Sequence, residues 1–125
     1  MLRILLAEDD ATMRAYLVRA LERSGYAVEA VDCGTAALPL IERGGFDLLL
    51  TDIVMPEMDG IELAQRAAEI APQLRVMFIT GFAAVALKAA RKSPDARILS
   101  KPFHLRDLVA EIDRMFQSED LHGRL

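Results

Sequence analysis

The sequence predicts an α/β fold in which five strands alternate with five helices, written (βα)₅. Two observations support this prediction. Short and nearly unbroken apolar runs recur along the chain, and the stretches between them are amphipathic with helical spacing. Short apolar runs are typical of strands that are buried on both faces. Their alternation with helices favours a five-stranded parallel sheet with a layer of helices on each side.

The predicted strands are the five apolar runs at residues 2–7, 27–31, 47–51, 75–80 and 96–99. The chain has 125 residues, of which 53% are hydrophobic and 27% charged, which is enough for one compact domain with a real core. We expect residues 1–117 to form this domain and residues 118–125 to form a short polar tail that frays.

The first and last helices have the clearest apolar stripes. Gly25 is expected to end the first of them. The first stripe consists of Met13, Leu17, Ala20 and Leu21, and the last of Leu105, Leu108, Val109, Ile112, Met115 and Phe116. The second helix contains Pro39, and an interior proline costs about 3 kcal/mol. That helix is therefore expected either to begin near Pro39 or to be kinked there.

Composition excludes several classes of protein. The net charge is −4 and no basic cluster is longer than Arg91-Lys92, so nucleic acid is not an expected partner. The single cysteine, Cys33, excludes an internal disulfide and is expected to be a small buried group. The apolar N-terminus is too short for a signal peptide or a membrane span. These features favour a cytoplasmic protein, and we expect a monomer.

Polar residues that can support chemistry follow four of the predicted strands. Glu8 and Asp9 follow the first, Asp52 the third, Thr80 ends the fourth and Lys101 follows the fifth. Ligands of open parallel sheets bind beyond the carboxyl ends of the strands, so these side chains are expected to converge. The second strand contributes none of them and is expected at an edge of the sheet.

This set of residues favours phosphoryl transfer supported by a metal. Three carboxylates repel one another unless a cation lies among them, and oxygen ligands without His or Cys favour Mg²⁺ or Mn²⁺. Asp52 is the best candidate nucleophile, because a carboxylate can attack a phosphoryl donor and form an acyl phosphate. Lys101 would neutralise the phosphoryl oxygens, and Thr80 would donate a hydrogen bond to one of them.

Four motifs, in order, resemble the receiver domains of two-component response regulators. They are Glu8-Asp9, residues 51–60 (TDIVMPEMDG), Thr80-Gly81 and residues 101–103 (KPF), and the resemblance covers about residues 2–116. It implies a flavodoxin-like three-layer sandwich with strand order 2-1-3-4-5. It also implies a metal that is held by Glu8, Asp9, Asp52 and the backbone carbonyl of Val54.

Residues 51–64, 77–87 and 99–109 also resemble the CpdR family, single-domain regulators of alphaproteobacteria. This resemblance implies an adaptor that, when unphosphorylated, primes the protease of the unfoldase ClpX and the peptidase ClpP. The phosphoryl group would come from a histidine kinase such as CckA through a phosphotransferase such as ChpT, and it would switch the adaptor off.

Two other functional classes remain open at this point. One is a phosphorelay shuttle between histidine proteins that has no role in proteolysis. The other is an aspartyl-phosphate phosphatase. Phosphatases of the haloacid dehalogenase type usually carry an acid/base Asp two residues after the nucleophile, where this chain has Val54. Val54 cannot transfer a proton, so only self-catalysed phosphorylation and slow autodephosphorylation are expected.

Several other residues have simpler interpretations. Asp10 and Asp59 are expected to cap helices, His104 to cap a helix or lie on the surface, and Arg14 to be a surface or salt-bridge residue. Ile98 stands where many receivers carry an aromatic switch residue. The apolar stretch at residues 82–87 is expected to be either a buried helix or an exposed patch that binds a partner.

Overall fold

The computed structural model describes the backbone of residues 1–124 and the side chains of residues 1–117. It confirms a five-stranded parallel sheet in the order β2-β1-β3-β4-β5. The strands are β1 (Arg3–Ala7), β2 (Ala27–Val31), β3 (Leu48–Asp52), β4 (Arg75–Thr80) and β5 (Arg97–Ser100). The helices are α1 (Ala11–Arg23), α2 (Gly34–Arg43), α3 (Gly60–Ile70), α4 (Ala83–Lys92) and α5 (Leu105–Arg124).

The sheet separates two layers of helices, because alternate side chains of each strand point to opposite faces. Ile4 and Leu6 of β1 pack with buried residues of α1 and α5 on one face. Leu5 and Ala7 of the same strand pack with α2 and α3 on the other face. The helix α4 joins this second layer through Ala89. The two-sided burial explains why the strands read as unbroken apolar runs.

The strand boundaries agree closely with the sequence pattern. β2 and β4 have the predicted bounds, and β3 and β5 each begin and end one residue later than predicted. Asp47 already contacts β1 one residue before β3 begins, since its amide donates to the Arg3 carbonyl at 2.8 Å. Asp52 is the last residue of β3. Gly25, with φ +95°, follows the end of α1 as expected.

The second helix begins at Gly34, so of the two alternatives a start near Pro39 is wrong, and a kink at Pro39 stays a prediction. Pro39 lies inside the helix and removes one backbone donor. Ala37 and Ile41 on the same helix are buried against the sheet, and this packing offsets the missing hydrogen bond. Cys33 precedes the helix and is half-buried, not fully buried as expected, with its Sγ 3.2 Å from Thr35 Oγ1.

Four of the six residues of the apolar stretch at 82–87 are exposed, and Val85 and Ala86 are half-buried, so the stretch is not a well-buried helix. Phe82 is 60% and Leu87 67% accessible to solvent, and the neighbouring Ala83 and Ala84 are exposed as well. Ala89 is the one fully buried residue of α4. We call Phe82, Ala83, Ala84 and Leu87 the α4 patch.

The helix α5 carries the backbone through residues 118–124, which the sequence analysis assigned to the tail. The side chains of these residues lie outside the described part of the chain, so the domain boundary after residue 117 stays a prediction. Among the described residues, no helix is both long and apolar enough to cross a membrane.

Candidate functional site

The predicted site residues lie together at the carboxyl edge of the sheet. Asp52 ends the central strand β3, and Thr80 ends the adjacent β4. Glu8 directly follows β1 on the other side of β3, and the register places Ala7 opposite Thr51. Lys101 directly follows β5, and its amide donates to the Thr80 carbonyl at 2.8 Å. Parallel pairing thus brings four strand ends to one place, as the sequence analysis expected.

Glu8, Asp9 and Asp52 form a cluster of carboxylates. Each offers an oxygen, and these oxygens lie within 4.8 Å of one another. Glu8 is 1% and Asp52 9% accessible to solvent, whereas Asp9 is exposed. The buried Glu8 Oε1 has no hydrogen-bond partner in the structure. Three carboxylates, one of which has a buried oxygen without a partner, fit a divalent cation such as Mg²⁺.

The Lys101 ammonium is the protein's own cation in this cluster. Its Nζ lies 3.2 Å from Asp52 Oδ2 and 3.7 Å from Glu8 Oε1. Burial by itself lowers the pKa of Lys101, but the charges of Asp52 and Glu8 outweigh burial and raise this pKa above its ordinary value. Lys101 therefore stays protonated at neutral pH. The peptide bond from Lys101 to Pro102 is cis.

Glu8 is the carboxylate of the cluster whose pKa is raised. Burial is the main cause that raises its pKa from 4.5 to about 7, and the charge of Asp52 adds to this effect. The Asp10 amide, which donates to Glu8 Oε2 at 3.2 Å, and the charge of Lys101 act in the opposite direction. In the absence of a metal ion, burial therefore makes the ionised form of Glu8 less favourable than it is in water.

Thr80 places a buried hydroxyl at the same edge of the sheet. Its side chain is 1% accessible, and its Oγ1 accepts a hydrogen bond from the Phe82 amide at 3.1 Å. This bond connects Thr80 to the residue that precedes α4. Gly81, between them, leaves room for a side chain, since a Cβ there would meet only Lys101 Cβ at 3.8 Å.

Gly60 fixes the loop that follows Asp52. The Gly60 amide donates to the Ile53 carbonyl at 2.8 Å, and Asp59 caps the N-terminus of α3 through the Glu62 amide at 2.8 Å. A Cβ on Gly60 would lie 2.2 Å from the backbone oxygen of Asp52. Only glycine allows α3 to begin this close to the strand that carries Asp52.

The remaining site predictions have mixed outcomes. Asp10 caps α1 by accepting from the Met13 amide at 2.9 Å, which confirms its expected role. Val54 lies in the loop two residues after Asp52, and the assignment of its carbonyl as a metal ligand stays a prediction. His104 is exposed at the start of α5, where its carbonyl accepts from the Asp107 and Leu108 amides.

Sequence reasoning missed one contact of the site. Arg14 was assigned to the surface or to a salt bridge, but its Nη1 donates to the backbone carbonyl of Glu8 at 2.9 Å. The sequence offered one usable signal, because Arg14 is the fourth residue of a helix that begins two residues after the acidic pair. A long side chain at that position can reach back to the preceding loop.

The arrangement can bind a cation and receive a negatively charged group. An anion that joined Asp52 would find the Lys101 ammonium beside it and the Thr80 hydroxyl at the next strand end. Such fixed charges and donors stabilise phosphoryl groups without large rearrangement. Among the described residues, no His or Cys belongs to the cluster, so the donor set is of the oxygen type that Mg²⁺ prefers.

Comparisons with known proteins show the family of the chain. Residues 4–113 match the model of the response regulator receiver domain. The chain is 64% identical over 116 residues to the response regulator receiver protein CpdR of Brucella abortus, a match that covers 92% of this chain and 97% of CpdR. It is 37% identical over 122 residues to the sensor kinase CckA of the same organism, which covers 94% of this chain and 13% of the kinase.

A solved structure with the same fold is that of the response regulator TrrA from Thermotoga maritima in complex with Mg²⁺ and BeF. The two chains are 25% identical with a TM-score of 0.82, and the match covers 91% of this chain and 98% of TrrA. The family match includes four of the five residues of β1, the other four strands, the first four helices and the first nine residues of α5. The chain belongs to the response-regulator receiver domains of two-component systems.

Proposed function

We propose that this protein is a phosphorylation switch that accepts a phosphoryl group on Asp52 with the help of Mg²⁺. The observation that supports the proposal best is the contact of 3.2 Å between Lys101 Nζ and Asp52 Oδ2, beside the clustered carboxylates of Glu8 and Asp9. Mg²⁺ would be held by Glu8, Asp9, Asp52 and the Val54 carbonyl, and when bound it would neutralise charge on the phosphoryl oxygens. The complex of TrrA with Mg²⁺ and BeF supports this choice of cation.

In the proposed reaction, a carboxylate oxygen of Asp52 attacks the phosphorus of a phosphohistidine or a small acyl phosphate. The new oxygen–phosphorus bond forms as the bond to the donor breaks, and the donor leaves with the electron pair of that bond. Lys101 stays protonated and balances the added negative charge. The Thr80 hydroxyl donates a hydrogen bond to a phosphoryl oxygen. Val54 offers no proton acceptor for an attacking water, so hydrolysis is slow.

The test is incorporation of phosphate from acetyl phosphate, followed by intact-protein mass spectrometry. The wild type should gain one phosphoryl group in Mg²⁺ and none in EDTA. Asp52→Asn should gain none, whereas Asp32→Asn, at the exposed carboxyl end of the edge strand β2, should react like the wild type. Phosphate on Asp52→Asn, or labelling that is independent of Mg²⁺, would exclude the proposed site.

We further propose that the switch is an adaptor of the CpdR type that controls ClpXP proteolysis in its unphosphorylated state. The identity of 64% with CpdR over nearly the full length of both chains supports this assignment. The likeness to the CckA kinase supports a histidine kinase or phosphotransferase of the CckA or ChpT type as the phosphoryl source. The α4 patch is the proposed output surface, because Phe82 and Leu87 are large exposed apolar side chains.

A binding assay with purified ClpX separates the adaptor from a relay shuttle. ClpX should retain Asp52→Ala but not the wild type held in its phosphorylated-like form by beryllofluoride and Mg²⁺. Leu87→Glu should weaken retention while phosphorylation of Asp52 continues. Ile70→Glu, an exposed apolar site on α3, is the matched control and should bind like the wild type. No retention of Asp52→Ala by ClpX would favour the relay shuttle.

A further inference from the structure

Arg14 on α1 reaches back to the loop that carries the acidic pair. Its Nη1 donates to the backbone carbonyl of Glu8 at 2.9 Å, and the side chain is half-buried. The guanidinium thus contacts the main chain of a candidate cation ligand instead of its carboxylate. In the proposed switch, Arg14 has no assigned role.

The Glu8 loop is held from several directions. The Glu8 amide donates to the Val31 carbonyl at 3.1 Å, and the Asp10 amide donates to Glu8 Oε2 at 3.2 Å. Between these two contacts lies the peptide unit that joins Glu8 to Asp9, and its carbonyl is the atom that Arg14 holds. Because a peptide unit is planar, fixing this carbonyl fixes the plane. The orientation of the plane sets the relative directions of the Glu8 and Asp9 side chains.

We infer that Arg14 is a positioning residue for the cation site, which keeps the Glu8 and Asp9 carboxylates in the arrangement that a divalent cation requires. This inference rests on the proposed Mg²⁺ site. Groups that orient metal ligands without touching the metal typically change metal affinity by about 10- to 100-fold when they are removed. The contact here is to the ligand's backbone, so we expect an effect of about 10-fold, at the lower end of that range.

The sign of the effect distinguishes positioning from simple electrostatics. Arg14 carries a positive charge close to a site that binds a cation. If only this charge mattered, its removal would reduce repulsion and tighten Mg²⁺ binding. If Arg14 orients the loop, its removal weakens Mg²⁺ binding in spite of the lost repulsion.

The experiment is titration of the full-length protein with Mg²⁺ by isothermal calorimetry, in the absence of any phosphoryl donor. Arg14→Met keeps the apolar stem and removes both the charge and the donors, and Arg14→Lys keeps the charge and one donor group. Arg19→Met removes the same charge from an exposed position on the same helix and is the matched control. Urea unfolding in EDTA measures any loss of stability separately.

We expect Arg14→Met to bind Mg²⁺ about 10-fold more weakly, Arg14→Lys to recover most of the affinity, and Arg19→Met to match the wild type. Unchanged or tighter binding by Arg14→Met would overturn the inference while leaving the proposed function intact. Should Arg14→Met fail to fold, the folded Arg14→Lys variant must still bind more weakly than Arg19→Met. Failure of the wild type itself to bind Mg²⁺ would instead overturn the proposed site.

Discussion

Replacement of Glu8 by glutamine should stabilise the metal-free protein at alkaline pH. Burial raises the pKa of Glu8 from 4.5 to about 7, so between these values the folded state holds a proton that the unfolded state has lost. The free energy of unfolding therefore falls as pH rises through this window. Glutamine does not titrate, so the free energy of unfolding of Glu8→Gln does not fall in this way.

The magnitude follows from the two pKa values of Glu8. The gap between 4.5 and about 7 corresponds to roughly 3 kcal/mol, since one pH unit is equivalent to ~1.4 kcal/mol. Glu8→Gln should therefore exceed the wild type by up to about 3 kcal/mol at pH 8, and by less than about 1 kcal/mol at pH 5. Glu42→Gln, an exposed site on α2, should change stability by less than about 0.5 kcal/mol at either pH.

The assay is urea unfolding in EDTA, followed by circular dichroism because the chain has no Trp. Addition of Mg²⁺ should stabilise the wild type more than Glu8→Gln, because the cation binds the ionised carboxylate. Equal stability of Glu8→Gln and wild type at pH 8 would refute the reasoning. A stability advantage that did not shrink on acidification would refute it as well.

Three further predictions follow from the geometry of the site. Gly60→Ala should lose at least about 2 kcal/mol of stability in urea, because its Cβ would meet the Asp52 backbone oxygen at 2.2 Å, whereas Gly81→Ala should be close to neutral. Lys101→Met removes a positive charge 3.2 Å from Asp52, so it should bind Mg²⁺ about 10-fold more tightly in calorimetry. The same variant should be phosphorylated more slowly. Unchanged Mg²⁺ affinity would contradict the expected loss of repulsion. Asp59→Ala should lose about 1 kcal/mol, the usual value of a helix cap, and an unchanged urea midpoint would show that the Glu62 amide finds another acceptor.

Much of the fold is predictable because strand and helix leave different periodic signals. β2 and β4 have the bounds that their apolar runs indicate, and Gly25 follows α1 as its position suggests. The start of α2 was not predictable in the same way, because local preference and tertiary packing conflict there. Pro39 disfavours the helix locally, and burial of Ala37 and Ile41 against the sheet decides the outcome.

The site was predictable as a set of strand ends but not in its internal detail. Glu8 and Asp9 are adjacent acidic residues that the sequence does not distinguish, yet Glu8 is buried and Asp9 is exposed. That difference depends on how the loop turns after β1, which the residue types do not specify. The burial of the stretch that begins at Phe82 could not be predicted for a similar reason, since an apolar stretch can lie at a surface or in a core.

The site lies at the ends of four separate strands, so its assembly depends on complete folding of the sheet. Lys101 and Asp52 are 49 positions apart in sequence, and Glu8 comes from the opposite end of the chain from Lys101. A fragment that ends before β4 carries Asp52 but neither Thr80 nor Lys101. Contacts between such distant segments form only when all the strands that carry them have paired in the sheet. A newly made or partly unfolded chain therefore lacks the assembled site, and substitutions that loosen any one strand disturb the site even when every site residue is intact.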